Sequence, residues 1–222
     1  MLPAIIRQVT KSLSRSLIVN PYYWFCRSLI ILVGRIFFRL RVVHRERMIN
    51  HGPAILASNH ESYLDPPLVG SVADRAIFFL ARKTLLDGSF FGWLLPKLNV
   101  IPVDQEGNDR SALKALIRIL RAGEGTLVFP EGERTLDGQL RPALPGLGFV
   151  IAKTLAPVVP MRIFGARQAW PRGSARVRFR RVTVVVGEPI HFTAADLQPP
   201  GKDLYLRLSQ RVMDAIAALS LD

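Results

Sequence analysis

The chain has 222 residues, 49% hydrophobic and 21% charged, enough for one domain with a real core and too apolar for general disorder. Its 30 Lys and Arg against 17 Asp and Glu leave a formal net charge of +13. Folding does not need that excess, so it points to an anionic partner: an acidic membrane surface, a phosphorylated substrate or a nucleic acid. The single Cys26 excludes an internal disulfide, and its aromatic and apolar neighbours predict a buried, inert thiol.

Residues 1–48 read as a basic helical segment. The first 45 residues carry Arg7, Lys11, Arg15, Arg27, Arg35, Arg39, Arg41 and Arg45 and no acidic side chain. From Trp24 to Leu40, apolar side chains recur at helical spacing (Phe25, Leu29, Leu32, Val33, Ile36, Phe37, Leu40), with Arg27, Ser28, Arg35 and Arg39 gathered opposite. Such a helix, with Tyr and Trp at one end, is expected to lie in a membrane interface, apolar side down and guanidinium groups among phosphates. An ordinary helix packed on the rest of the chain is the alternative. Asn20-Pro21 divides it from a shorter amphipathic stretch over 2–17. No run reaches the ~18 consecutive apolar residues of a clear membrane span. The start also lacks the apolar stretch and small-residue site of a secretory signal. The expectation is a membrane-associated, monotopic protein on the cytoplasmic face.

Residues 49–222 alternate short apolar runs with helical periods. Strands are predicted over 54–58, 76–80, 99–103, 126–129, 158–164 and 176–186. Helices are predicted over 66–72, 110–121, 147–155 and 204–219. Alternation of this kind predicts an α/β fold: one layered domain with a mixed sheet flanked by helices, preceded by the membrane-binding segment.

Two strings stand at strand ends. Asn59-His60-Glu61-Ser62-Tyr63-Leu64-Asp65 follows the run over 54–58, and Asp65 before Pro66-Pro67 reads as a helix N-cap. Residues five apart on a regular helix point about 140° from each other, so contact between His60 and Asp65 requires a bend, which a strand end supplies. In that bend the carboxylate can hold one ring nitrogen and leave the other to take a proton. Phe129-Pro130-Glu131-Gly132-Glu133-Arg134-Thr135 follows the run over 126–129. There Gly132 permits close backbone approach to a ligand, and Arg134 can grip a phosphate with two hydrogen bonds. His44, His51 and His191 have no comparable partner in sequence and are expected at the surface or in the core.

The two strings in this order, NHxxxxD then FPEGxR, resemble the glycerolipid acyltransferases, the family that includes 1-acylglycerol-3-phosphate acyltransferase. The resemblance implies His60 as general base and Asp65 as its orienting partner, with Glu131, Gly132 and Arg134 at the acceptor phosphate. It also implies a further phosphate contact from Arg82 or Lys83, the basic pair of a second block. Phe90, Phe91 and Trp93 fit either an acyl path or core packing. Val158 to Arg162 resembles a fourth, largely architectural block. Departures occur at Glu133 and Thr135, where Thr and Ser are commoner, and at Thr84, where Glu is usual. Glu133 would weaken anion binding unless it points away.

The implied reaction moves a fatty acyl group from acyl-CoA or acyl-carrier protein to the free hydroxyl of a lysophospholipid, most simply 1-acyl-glycerol 3-phosphate, giving phosphatidic acid. Glycerol 3-phosphate or a lyso-ornithine lipid are alternative acceptors. No GxSxG elbow is present and the lone Cys lies outside the strings, so direct attack without an acyl-enzyme is expected. No metal cluster shows in the sequence, and neither metal nor cofactor is expected beyond the acyl thioester co-substrate. Expected partners are those substrates, an anionic membrane surface and, as donor, acyl-carrier protein. Arg176, Arg178 and Arg180 alternate with Val177 and Phe179, the best local support for a binding-only module. Most aromatics instead lie in apolar runs, so nucleic acid is not expected as partner. A thioesterase, with water as acceptor, would leave the phosphate-site residues without purpose.

Overall fold

The computed structural model describes residues 21–86, 89–103, 110–201 and 203–221. The predicted stretch over 2–17 lies outside the described residues. Helix α1 (Pro21–Phe37) comes first, followed by β1 (Arg41–Val43), β2 (Ala54–Ser58), α2 (Asp65–Gly70) and β3 (Ile77–Arg82). Then come α3 (Ser89–Leu94), β4 (Val100–Val103), α4 (Arg110–Arg121), β5 (Gly125–Val128) and α5 (Pro145–Thr154). The chain closes with β6 (Val158–Phe164), α6 (Ala166–Ala169), β7 (Thr183–Val186) and α7 (Leu204–Ala217).

The strands form one seven-stranded sheet in the order β1-β7-β6-β2-β5-β3-β4. Neighbours run parallel except β6 and β7, which pair antiparallel. The expected mixed α/β sheet flanked by helices is therefore the observed fold. Strand β2 is buried along its whole length, as a central parallel strand covered on both faces must be. Its alternation sorts the core. Leu56 joins Leu68, Val69, Leu127 and Met161 beneath α1 and α2. Ile55 and Ala57 join Leu116, Val150, Ile151, Val212 and Ile216 beneath α4, α5 and α7. At the α5–α7 crossing, Gly148 lets the helices touch: its N–H donates to Ser209 Oγ at 2.7 Å, and a Cβ there would stand 1.8 Å from the Tyr205 carbonyl oxygen.

Three sequence expectations change. The run predicted as a strand over 176–186 is a strand only at Thr183–Val186, and its Arg-rich first half is exposed irregular backbone with a tight turn where the Arg180 N–H donates to the Arg178 carbonyl. Alternating Arg with Val and Phe imitates the period of a half-buried strand, but no neighbouring strand pairs with it. Strand β1, short and Arg-headed, gave no strand signal, yet its register with β7 (Arg41 opposite Thr183) closes the sheet edge. Cys26 is half-buried on α1 rather than buried.

Helix α1 docks through a narrow face. Tyr23 and Gly34 are its buried residues. Tyr23 Oη accepts the Ile77 N–H at 3.0 Å, and Arg27 donates to the Ala73 carbonyl at 2.9 Å and to Asp74 at 3.0 Å. The predicted apolar stripe points the other way: Phe25 is 68% exposed, Leu32 54% and Ile36 60%. Arg27, assigned to the opposite side, is what meets the domain.

Candidate active site

The central strands β6, β2 and β5 run parallel, so their C-terminal ends deliver three loops to one edge of the sheet, where α/β folds place ligands. The first loop is the Asn59–Asp65 string. His60 Nδ1 lies 2.8 Å from Asp65 Oδ2, and Asp65 is fully buried. The same oxygen accepts the Glu61 N–H at 2.6 Å and the Ser62 N–H at 2.7 Å. Asp65 is not the N-cap: Leu64 takes that position and Asp65 opens α2, its carboxylate folded back over the bend. A carboxylate oxygen that already accepts two backbone N–H groups is held as an acceptor, so Nδ1 is the ring nitrogen that donates to it and Nε2 is the one left to face a substrate.

The second loop locks this geometry. Phe129 stacks flat on the imidazole, ring centroids 4.0 Å apart, which fixes the ring plane. Glu131, buried, accepts the His60 N–H at 2.9 Å with one oxygen and the Arg141 N–H at 3.1 Å with the other. Burial raises its pKa, against the pull of those two amides. The His60 carbonyl in turn accepts the Thr135 N–H at 2.9 Å. Both backbone groups of the histidine are thus held by the second string. Gly132 has a φ of 75°, in the left-handed region, so the turn itself demands glycine there.

Arg134 lies with its guanidinium 3.7 Å from the centre of the Tyr63 ring, and Tyr63 rests on Trp170 at 5.1 Å. This stack aims one cation at the edge that carries His60. Glu133 is neutralised by other cations: its carboxylate is taken by Arg172 at 2.9 Å and Arg141 at 2.7 Å, and both arginines hold its pKa low. The basic pair follows on the neighbouring strand. Arg82 ends β3 and Lys83, exposed, opens the next turn at the same edge. The side chains of Arg82, Phe90 and Phe91 lie outside the described residues, while Trp93 is exposed and meets Tyr22 edge-on.

The third loop went unrecognised in the sequence as part of the site. Asn59 clamps β6, accepting the Ile163 N–H at 2.8 Å and donating to its carbonyl at 3.1 Å. Glu61, buried, accepts the Arg167 N–H at 3.1 Å, and burial pushes its carboxyl up to about 7. Ser62 donates to the Trp170 carbonyl at 2.6 Å. No catalytic residue type marks this loop, so only the fold could connect it. Arg162 of the fourth block donates to the Ala217 and Leu219 carbonyls and seats the end of α7, an architectural role. His44, His51 and His191 are exposed. The open depressions along α7, lined by Leu206, Arg207, Gln210 and Arg211, contain none of the motif residues.

An imidazole with a defined free nitrogen, a buried carboxylate behind it and a fixed guanidinium nearby can deprotonate a hydroxyl on an anionic substrate. The solved structure of the 1-acyl-sn-glycerophosphate (LPA) acyltransferase from Thermotoga maritima has the same fold, with a TM-score of 0.68 over 88% of this chain and 81% of that one at 23% identity. The 1-acyl-sn-glycerol-3-phosphate acyltransferase of Bacillus subtilis is 26% identical over 170 residues, 76% of this chain and 82% of that protein. The chloroplastic enzyme LPAT1 of Arabidopsis thaliana is 28% identical over 165 residues, 72% of this chain and 46% of its own length. The chain thus spans about half the length of the plant relatives it matches. The family model described as Acyltransferase matches residues 39–164, more than half of the chain and both strings, and the chain belongs to that acyltransferase family.

Proposed function

We propose that the chain transfers a fatty acyl group from an acyl thioester, acyl-CoA or acyl-carrier protein, to the free hydroxyl of 1-acyl-glycerol 3-phosphate, giving phosphatidic acid. The observation that carries the reading is the His60–Asp65 contact at 2.8 Å beside the Arg134–Tyr63 stack. His60 Nε2 takes the hydroxyl proton as the oxygen attacks the thioester carbonyl. The tetrahedral intermediate then expels the thiolate, which recovers the proton from the imidazolium. Asp65 fixes the tautomer and balances the charge that develops on the ring. Arg134 and Lys83, with Arg82 at the same edge, bind the acceptor phosphate. Glu131 and Gly132 shape the loop that presents Arg134. No metal or cofactor takes part in this reading. The similarity to the 1-acyl-sn-glycerol-3-phosphate acyltransferase of Bacillus subtilis supports the choice of acceptor.

The reading places the enzyme as a monotopic protein on the cytoplasmic face of a membrane. Its support is the outward apolar face of α1, with exposed Tyr22 and Trp93 at one end and Lys97 Nζ 3.4 Å over the Trp93 ring. Among the described residues no helix is long and apolar enough to cross a bilayer.

The test is mass-spectrometric detection of acyl transfer to lysophosphatidic acid in detergent, from each donor in turn, with His60→Ala alongside. Phosphatidic acid from the native chain and none from the variant is the expected result. Unchanged transfer by His60→Ala would remove the mechanism, and thioester hydrolysis without transfer would replace the acceptor with water.

A further inference from the structure

The segment from Pro171 to Val182 connects the active-site edge to α1. At its start Pro171 bridges to Ser62, and Arg172 donates to Glu133 and to the Arg134 carbonyl. At its end Phe179 lies against Phe37 at 5.1 Å and Phe38 at 6.0 Å, and the Val182 N–H donates to the Phe38 carbonyl. Between them Arg176, Val177, Arg178, Phe179, Arg180 and Arg181 are all exposed, and Phe179 is exposed by 69%. No acidic residue occurs between Ala166 and Gly187. Among the described residues no carboxylate pairs with Arg176, Arg178, Arg180 or Arg181. Arg35, Arg39 and Arg41 stand exposed on the adjoining segment.

Two features therefore run side by side: a strip of unneutralised guanidinium groups and an apolar surface made of Phe179, Val177, Phe37 and the outer face of α1. A protein facing only water has no use for either at this density. Their juxtaposition matches the layering of a bilayer surface, phosphates above acyl chains. Single-stranded nucleic acid would instead call for several aromatic faces spaced between the cations, and here one aromatic, Phe179, lies among them with its ring against Phe37 of α1.

We propose that residues 176–181 are a second bilayer contact, in which Arg176, Arg178, Arg180 and Arg181 bind the phosphates of anionic lipid head groups while Phe179 dips beside α1. The segment leads back from the strip to Arg172, which is paired with Glu133 and held on the Arg134 carbonyl, so a lysolipid acceptor gathered on the strip reaches the active-site edge without leaving the membrane. Delivery of acceptor rests on the acyltransferase reading; the membrane contact does not.

The experiment is co-sedimentation of the full chain with phosphatidylcholine vesicles, with and without phosphatidylglycerol. The variants are Arg176→Gln/Arg178→Gln/Arg180→Gln/Arg181→Gln, the same four positions changed to Lys, and Phe179→Ser alone. Each cation near an anionic leaflet strengthens binding roughly fivefold, so the Gln variant should lose at least about tenfold on anionic vesicles and little on neutral ones. The Lys variant should retain anionic-vesicle binding, and Phe179→Ser should weaken binding to both vesicles. Turnover of acceptor embedded in vesicles should fall in the Gln variant, while turnover of a short-chain acceptor free in solution is retained. Anionic-vesicle binding within twofold of native in the Gln variant, or an equal loss of turnover with the soluble acceptor, overturns the proposal. So does tighter binding of native protein to a single-stranded oligonucleotide than to anionic vesicles, lost in the Gln variant. Absence of turnover with every acceptor would count against the acyltransferase reading alone, because sedimentation reads the membrane contact by itself.

Discussion

The sheet edge that carries His60 and helix α1 are both made of apolar runs punctuated by polar side chains, yet they dispose of them in opposite ways. At the edge, the Ala54–Ser58 run is wholly buried and the polar residues that follow turn inward to bind one another: Asn59 to β6, Asp65 to three donors, Glu131 to both loops. On α1, Tyr23, Arg27 and Gly34 face the domain while Phe25, Leu29, Leu32 and Ile36 face out. Apolar side chains therefore signal core in one region and interface in the other. What separates them is whether neighbouring strands supply a covering layer. The edge is over-determined by hydrogen bonds, whereas α1 is seated by a few contacts and leaves its largest apolar surface unused within the chain.

This contrast predicts a graded series of effects. Asp65→Asn should be the most severe. Three donors converge on one Asp65 oxygen, so the amide oxygen of Asn would stay towards them and what is lost is the negative charge that balances the imidazolium; turnover should drop about 10²-fold or more with the fold retained by circular dichroism. Turnover within tenfold of native would show that His60 needs no charge behind it. Gly148→Ala comes next, because its methyl would strike the Tyr205 carbonyl. A loss of about 3 kcal/mol or more in denaturant unfolding is expected, and a native midpoint would mean that α5 and α7 can separate at little cost.

Arg134→Ala should raise the acceptor KM by roughly tenfold to a hundredfold and change kcat less, since a charge-assisted contact to phosphate contributes about 1.5–3 kcal/mol. An unchanged KM would assign the phosphate to other cations. Glu61 offers a pH test. Its carboxyl sits at about 7 when folded against 4.5 as a model value. Between about pH 4.5 and pH 7 the folded chain keeps a proton that the unfolded chain has released, so stability falls as pH rises through that window and levels off above it. Glu61→Gln keeps an acceptor for Arg167 and should exceed native stability above about pH 7, on the order of 2 kcal/mol, with the gap closing towards about pH 4. A gap that does not vary with pH would place the burial cost elsewhere.

Leu32→Glu on the outer face of α1 should have the smallest effect on folding, within about 0.5 kcal/mol, because the side chain is 54% exposed. The same change should weaken vesicle binding. A large loss of stability instead would mean that this face is covered by another part of the protein.

Much of the site was legible because its chemistry is local in sequence. His60 and Asp65 lie in one string, and a strand end plus a Pro-led helix start suffice to bend them together. Arg134 was legible as a cation on a sharp turn. The roles of Glu131 and Thr135 were not, since holding the His60 backbone depends on β2 and β5 lying side by side with Ala57 opposite Val128, a pairing between segments some 70 residues apart. The same holds for Glu61, whose partner Arg167 is 106 residues away.

By itself, then, the sequence determined the alternation that yields an α/β sheet, the His60–Asp65 contact and the cation on the turn that follows β5, because hydrophobic period and short-range spacing are properties of neighbouring residues. Only the tertiary structure decided which face of α1 is covered, that Glu133 is drawn off by Arg141 and Arg172, and that Arg176 to Arg181 form an exposed strip rather than a strand. Burial and charge pairing depend on what the fold brings alongside, and periodicity alone carries no record of that.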